Sequence, residues 1–301
     1  MTSKPHKITH NPAKGIPLVL IACFFAAAMA TAAKLIRPGI ASTTISFVRF
    51  LVSLLLLSLA LPWVQRKTPL KRALKVQDWR STFVRIISAT ACLLTYFYAI
   101  QHIPLSTAVV LVFTSPLYIP IITWIWKKTP IPPMIWWSLG TGFIGVLLIV
   151  GPEFRSLHKG LIAGIISGIL AAISYVATRM QVKTETPFRM NFYLFLLGSL
   201  IIFAIGAKTF IINFNSLTGY DWLLLVLVGV FGLSYQYILS LAVRTIRIRF
   251  AGAFLYFTIV FAFFGEWLFF GKAPTLLNYL GVLLVILGGF LMILLEPGEK
   301  T

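Results

Sequence analysis

Three charged side chains lie inside long apolar stretches of this sequence: Arg49, Arg85 and Glu266. Any charge-dependent chemistry within those stretches must use them. Arg49 is seven residues from one edge of the apolar block 42–62 and thirteen from the other, toward the middle of a hydrocarbon layer at ~1.5 Å per residue. A guanidinium at that depth is costly against lipid and must face inward. It either binds an anionic group of a substrate or satisfies backbone carbonyls and partners within the bundle. Arg85 is one turn into block 81–99, where it either snorkels to the headgroups or helps to wall a polar cavity. Arg85, Ser88, Cys92 and Tyr96 fall at i, i+3, i+7 and i+11, one helical stripe. Glu266 either carries a proton during coupling, as intramembrane carboxylates can, or forms a structural ion pair with Lys34 or Lys272.

Uncharged groups add to this set. Thr114, Ser115, Pro116, Tyr118 and Pro120 lie in one block, and Tyr256 and Thr258 in another. Pro116 and Pro120 each free the carbonyl four residues earlier, a break tolerated in a membrane where it lines a cavity or packs against protein. The hydroxyls either meet a substrate or bond between helices. No enzyme is expected. The histidines (His6, His10, His102, His158) fall in the tail or loops with no metal spacing. There is no phosphate-binding P-loop and no intramembrane Ser/His or Asp/Asp pair. No cofactor or metal is implied. Cys23 and Cys92 form no CxxC and read as packing residues.

The elements that must hold these groups follow from composition. Of 301 residues, 59% are hydrophobic and 11% charged, and the mean hydropathy is +0.93. Soluble domains carry about 25% charge, so an ordinary globular domain is excluded. Apolar blocks at 16–33, 42–62, 81–99, 106–126, 134–150, 160–178, 190–206, 221–241, 251–270 and 276–295 give ten crossings, the first read as a retained span. The fold class is therefore an all-α membrane protein. Its divisions are a tail 1–15, repeats 16–150 and 160–295, and a tail 296–301.

The formal charge of +19 comes from 26 Lys and Arg against seven Asp and Glu. With the N-terminus inside, eighteen of those cations fall on the inner side and six on the outer, which places both termini in the cytoplasm. The basic excess thus orients the chain in a bilayer and does not signal nucleic acid. All eight tryptophans lie near span ends, as interfacial anchors do.

A shift of 143 residues lays 85–150 over 228–293 without a gap, pairing Ala99 with Ala242, Ala108 with Ala251, Trp124 with Trp267 and Gly145 with Gly288. Five spans per half is odd, so the halves must insert with opposite orientation. Inverted repeats of this kind typify secondary transporters with a midplane site. Gly160, Gly164 and Gly168 form a small-residue stripe for close helix packing, within the chain or in a homodimer.

Lys34, Ser46-Phe47-Val48-Arg49-Phe50, Tyr98-Ala99-Ile100, Pro104, Ala108 and the Pro116 region occur in order. Gly142-Phe143-Ile144-Gly145, Phe270-Gly271-Lys272-Ala273-Pro274, Gly281 and Gly288-Gly289 follow. Over about 15–295 this series resembles the drug/metabolite transporter superfamily, in its ten-helix EamA branch. The resemblance implies two inverted five-helix repeats around a central cavity, alternating access, and an inner-membrane location. Members of the family move amino acids, nucleobase compounds, sugars, drugs and other small metabolites. Arg49, Arg85 and the Pro116 span are also similar to S-adenosylmethionine transporters of intracellular bacteria. A glutamate common in the family after its fourth and ninth spans is replaced here by Thr129 and Lys272.

The expected function is secondary transport of a small polar, zwitterionic metabolite: an amino acid, a nucleoside or an S-adenosylmethionine-like compound. The candidate binding residues are Arg49, Arg85, Tyr96, Ser115, Tyr118, Tyr256 and Thr258, with Glu266 for coupling. The partners are this substrate and the lipid bilayer. Rival readings are a drug or metabolite exporter, a flippase-type carrier of a lipid or lipid-linked sugar, and a pore.

Overall fold

The computed structural model describes residues 12–62, 69, 74–128, 133–151, 159–245 and 254–295. The ends of both expected tails, Thr129, Trp63, His6, His10, His158 and many of the inner-loop cations lie outside the described residues. Among the described residues are eleven helices: α1 (Pro12–Leu35), α2 (Ser42–Ser58), α3 (Trp79–His102), α4 (Leu105–Phe113), α5 (Ser115–Lys127), α6 (Pro133–Val150), α7 (Lys159–Gln181), α8 (Pro187–Phe214), α9 (Gly219–Thr245), α10 (Phe257–Phe270) and α11 (Leu276–Leu295). No strand occurs among the described residues. Helices α4 and α5 are halves of one apolar rod, Leu105–Trp126, broken at Thr114. Eleven helices thus make the ten expected crossings. Six are long and apolar enough to cross a membrane by length and composition, and four rods are shorter.

Local sequence sets the helix ends. Asp78 caps α3 by accepting from Arg80 N and Ser81 N. Thr186 caps α8 by accepting from Arg189 N, with Pro187 in the first turn, where its missing N–H costs nothing. Pro104 precedes α4. His102, expected in a loop, ends α3, and its Nδ1 is 2.7 Å from Tyr98 O.

Asp78 lies outside the spans and gives a pH test. Its bond with Ser81, then the Arg80 N–H and charge, hold its carboxyl below the usual range. Its contribution to stability is therefore present above the unfolded pKa of about 4 and lost as pH falls through the lower folded value. Asp78→Ala should cost about 1 kcal/mol at neutral pH. The difference from the unaltered protein should vanish in thermal melts taken at progressively lower pH.

The packing has two-fold pseudosymmetry. α1 packs on α9 as α3 packs on α7; α2 packs on α9 as α3 packs on α8; and α1 packs on α10 as α4 and α5 pack on α7. Three pairs, α2 with α8, α4 with α10 and α6 with α11, lie across the axis. The 143-residue shift is visible in detail. The Thr114 break corresponds to a break at Tyr256, one residue off register. The left-handed residue ending α5, Lys128 (φ 53°), corresponds to Gly271 (φ 65°) ending α10. Gly145 and Gly288 are equivalent contact points between α6 and α11. A Cβ on Gly145 would lie 2.6 Å from Gly281 O, and one on Gly288 would lie 2.9 Å from Ser138 O.

The surface is inverted relative to a water-soluble protein. Ile87, Trp137, Ile205, Leu223, Phe264 and Leu276 are exposed, whereas Arg49 and Arg85 are buried. Apolar exposure on this scale suits lipid and not water. The glycine stripe on α7 packs within the chain. Gly164 faces Leu111, and Gly168 sits against Leu111 O, Thr114 Oγ1 and the Tyr118 ring.

Candidate functional site

A cavity of about 110 Å³ lies between the repeats. Helices α1, α2, α3, α4 and α5 line it from the first repeat, and α7 and α9 from the second, with Leu255 before α10. Arg49, Arg85, Cys92 and Tyr96 face it. Ser88, expected on the same stripe, instead donates to Val84 O and Arg85 O of its own helix.

Arg49 is 2% exposed. Its Nε donates to the Met29 thioether at 3.4 Å, and its guanidinium carbon lies 4.9 Å from the Phe50 ring centroid. The structure gives this guanidinium, a group with five donors, no oxygen acceptor among the described residues. It has room because α9 carries glycine opposite it: a Cβ on Gly232 would come within 2.6 Å of Arg49 Nε. Gly232→Ala should therefore displace the guanidinium. Substrate affinity should drop about tenfold, while the thermal midpoint moves by only a few degrees, since a one-methyl overpack costs about 1–3 kcal/mol. Binding titrations and melts on the same preparation check this.

Arg85 is anchored by neutral amides. It donates to Gln181 Oε1 at 3.2 Å and to Asn191 Oδ1 at 3.0 Å. Gln181 continues to Thr82, and Asn191 to Ser240. This network joins α3, α7, α8 and α9 at one end of the cavity, so Arg85 is held inward and does not snorkel. Neither arginine has a carboxylate partner among the described residues.

The described acids are committed elsewhere, near helix N-termini where anions are favoured. Asp78 caps α3. Glu185 accepts from Gln77 N, Asp78 N and Arg189 Nη1. Asp221, in the first turn of α9 and not in a loop, accepts from Thr218 and lies 3.8 Å from Arg37. Glu266 accepts from Ser106 N in the first turn of α4 at 3.0 Å.

The last contact corrects the expected ion pairs. Neither Lys34 nor Lys272 comes within 4.0 Å of Glu266; Lys34 Nζ instead binds Ile100 O and Ile103 O at the C-terminus of α3. Unpaired carbonyls end a helix and unpaired N–H groups begin one. The Lys34 cation and the Glu266 anion each find a helix end of opposite polarity, and together they hold the α3–α4 turn. Both line a second cavity of about 250 Å³ with Gln101, His102 and Lys272.

Four candidate hydroxyls do not line the central cavity. On α5 the lining residues are Pro116 and Ile119, so Ser115 and Tyr118 lie on an adjacent face, about 100° away on a helix of 3.6 residues per turn. The Tyr118 ring covers Gly168. Ser115, Tyr256 and Thr258 are buried hydroxyls with no hydrogen-bond partner among the described residues. They cluster at the two span breaks, and the shift pairs Ser115 with Thr258.

Several lining residues were absent from the sequence-derived set. Tyr175 and Tyr235 meet hydroxyl to hydroxyl at 2.6 Å, and Ser174, Thr178, Gln236 and Ser240 join them. The internal repeat carried the signal. Displaced by 143, the α3 wall of Ala89, Cys92, Leu93 and Tyr96 becomes Gly232, Tyr235, Gln236 and Leu239. The last three line the cavity and the first accommodates Arg49.

Comparisons with known proteins agree with this architecture. The chain is 27% identical over 273 residues to the pseudopaline exporter CntI of Pseudomonas aeruginosa, covering 90% of this chain and 93% of that one. It is 26% identical over 257 residues to a riboflavin transporter of Brucella anthropi, covering 83% and 87%. A solved crystal structure matches with a TM-score of 0.65 at 18% identity, covering 94% of this chain and 98% of that one, a likeness that concerns the fold alone. The profile of the EamA-like transporter family matches twice, over residues 13–151 and 158–294. The chain belongs to the EamA-like transporter family and is a multi-pass membrane transporter of two EamA repeats.

Proposed function

We propose that the protein is a secondary transporter that moves a small polar metabolite by alternating access, with Arg49 gripping an anionic group of the substrate. One observation carries this reading: two buried guanidiniums, without carboxylate partners among the described residues, face one cavity between the repeats. An unpaired buried charge is costly, and a ligand that brings the counter-charge offsets that cost. Tyr96, Tyr175 and Tyr235 supply hydroxyls and ring faces for the rest of the ligand. The names of the relatives, an exporter of pseudopaline and transporters of riboflavin, support small-molecule transport. The expected location is the inner membrane with both termini cytoplasmic.

Glu266 is the coupling candidate through its hold on Ser106 N–H. Protonation weakens that bond and frees the α3–α4 turn. Glu266→Gln should flatten the pH dependence of uptake without abolishing exchange; an unchanged pH profile removes Glu266 from coupling.

The function is tested in proteoliposomes preloaded with candidate metabolites. Saturable uptake with counterflow supports a carrier. Non-saturating flux favours a pore, and scrambling of a fluorescent lipid favours the flippase reading.

A further inference from the structure

From the charges that line the cavity, we infer that the substrate is a net anion with two separate acidic groups, one for Arg49 and one for Arg85. This deepens the transport reading and rests on it. Among the described residues the cavity has two guanidiniums and no carboxylate. Of the seven acids in the chain, the four described ones are engaged near helix N-termini. A cationic substrate would meet two like charges and no acceptor anion. The expectation of a cationic S-adenosylmethionine-like ligand, and of a simple zwitterion, is therefore disfavoured by the cavity itself.

The separation of the acidic groups follows from the helices. Arg49 Nε lies against Gly232 of α9, and Arg85 is joined through Asn191 to Ser240, eight residues further along that helix. Eight residues of helix rise about 12 Å. Arg85 is drawn further toward its own end by Gln181 and Asn191. The two cations thus meet α9 at different levels of the cavity, and Tyr235, hydroxyl-bonded to Tyr175, lies between those levels on that helix. A single carboxylate cannot engage both. A ligand with acids at its two ends and an uncharged, hydrogen-bonding middle can.

The test uses purified full-length protein and a chain-length series of probes: the dicarboxylates succinate, adipate and azelate, the monocarboxylates butanoate, hexanoate and nonanoate, and S-adenosylmethionine. Thermal midpoints are titrated at fixed ionic strength, since a ligand that binds the folded state raises its stability. The best dicarboxylate should bind at least tenfold tighter than the monocarboxylate of equal length. In Arg85→Gln that ratio should fall to within about twofold while monocarboxylate binding persists, and Arg85→Lys, which keeps the charge, should restore part of it. Equal binding of mono- and dicarboxylates overturns the inference. So does binding of S-adenosylmethionine at least as tight as the best dicarboxylate, or a tenfold ratio that survives in Arg85→Gln. Counterflow separates the two readings. Saturable exchange of a neutral or cationic solute alone leaves the transporter standing and removes the diacid. Dicarboxylate binding without exchange does the reverse.

Discussion

Arg49→Gln should cut substrate uptake about 100-fold while the protein still inserts, purifies and melts cooperatively. The size follows from losing a charge-assisted contact in a dry site, worth about 2–5 kcal/mol when one partner of a buried pair is removed. The stability should behave in the opposite way. In the empty protein Arg49 has a thioether and a ring face as neighbours and no anion among the described residues. Replacing a buried charge without a partner by a neutral side chain relieves desolvation cost, so the thermal midpoint of the empty variant should hold or rise. Uptake assays and melts on the same samples separate these effects. A variant that loses both transport and stability would make Arg49 a structural residue.

Gly168→Val should have the largest structural effect. A Cβ at 168 collides with Leu111 O and lies 2.9 Å from Thr114 Oγ1, both at the α4–α5 break. A backbone carbonyl cannot rotate aside as a long side chain can, so α7 must move away from the broken span. Overpacking of this kind costs about 1–3 kcal/mol for one or two methylenes, and a branched residue against backbone lies at or above that range. The variant should lose its monodisperse elution peak in detergent, whereas Gly140→Ala, where a Cβ meets nothing within 4 Å, should elute unchanged. If Gly168→Val behaves like that control, α7 does not depend on its small-residue stripe.

Much of the architecture was legible in the residues, because bilayer thickness is a strong constraint on the spacing of apolar blocks. Ten crossings followed from it. Within the spans, a guanidinium is so costly in hydrocarbon that Arg49 must point inward on energetic grounds alone, whereas Arg85, one turn from the headgroups, fits snorkelling as well as a cavity wall; both line the cavity. Hydroxyls carry no such penalty. Ser115, Tyr118, Tyr256 and Thr258 could have faced any neighbour, and the lateral packing that turned Pro116 and Ile119 inward instead is not encoded in periodicity. The ion-pair alternative for Glu266 failed for another reason. Sequence reading pairs a carboxylate with the nearest lysine, but here the folded chain supplied a helix N-terminus 160 residues away. The wall of α9 was legible in principle through the repeat.

The hold on the α3–α4 turn has no mirror image. Displaced by 143, Glu266 falls on Thr123, which has no anion with which to grip a helix start. The two repeats otherwise share breaks, caps and contact glycines, and in the proposed alternating-access cycle an exchange of their conformations would generate the opposite-facing form. That exchange would not conserve energy. On the alternating-access reading proposed above, a form that breaks the contacts of Lys34 and Glu266 with the α3–α4 turn loses an electrostatic clasp that the other repeat has no anion to replace, and turnover measured in the two directions should then differ.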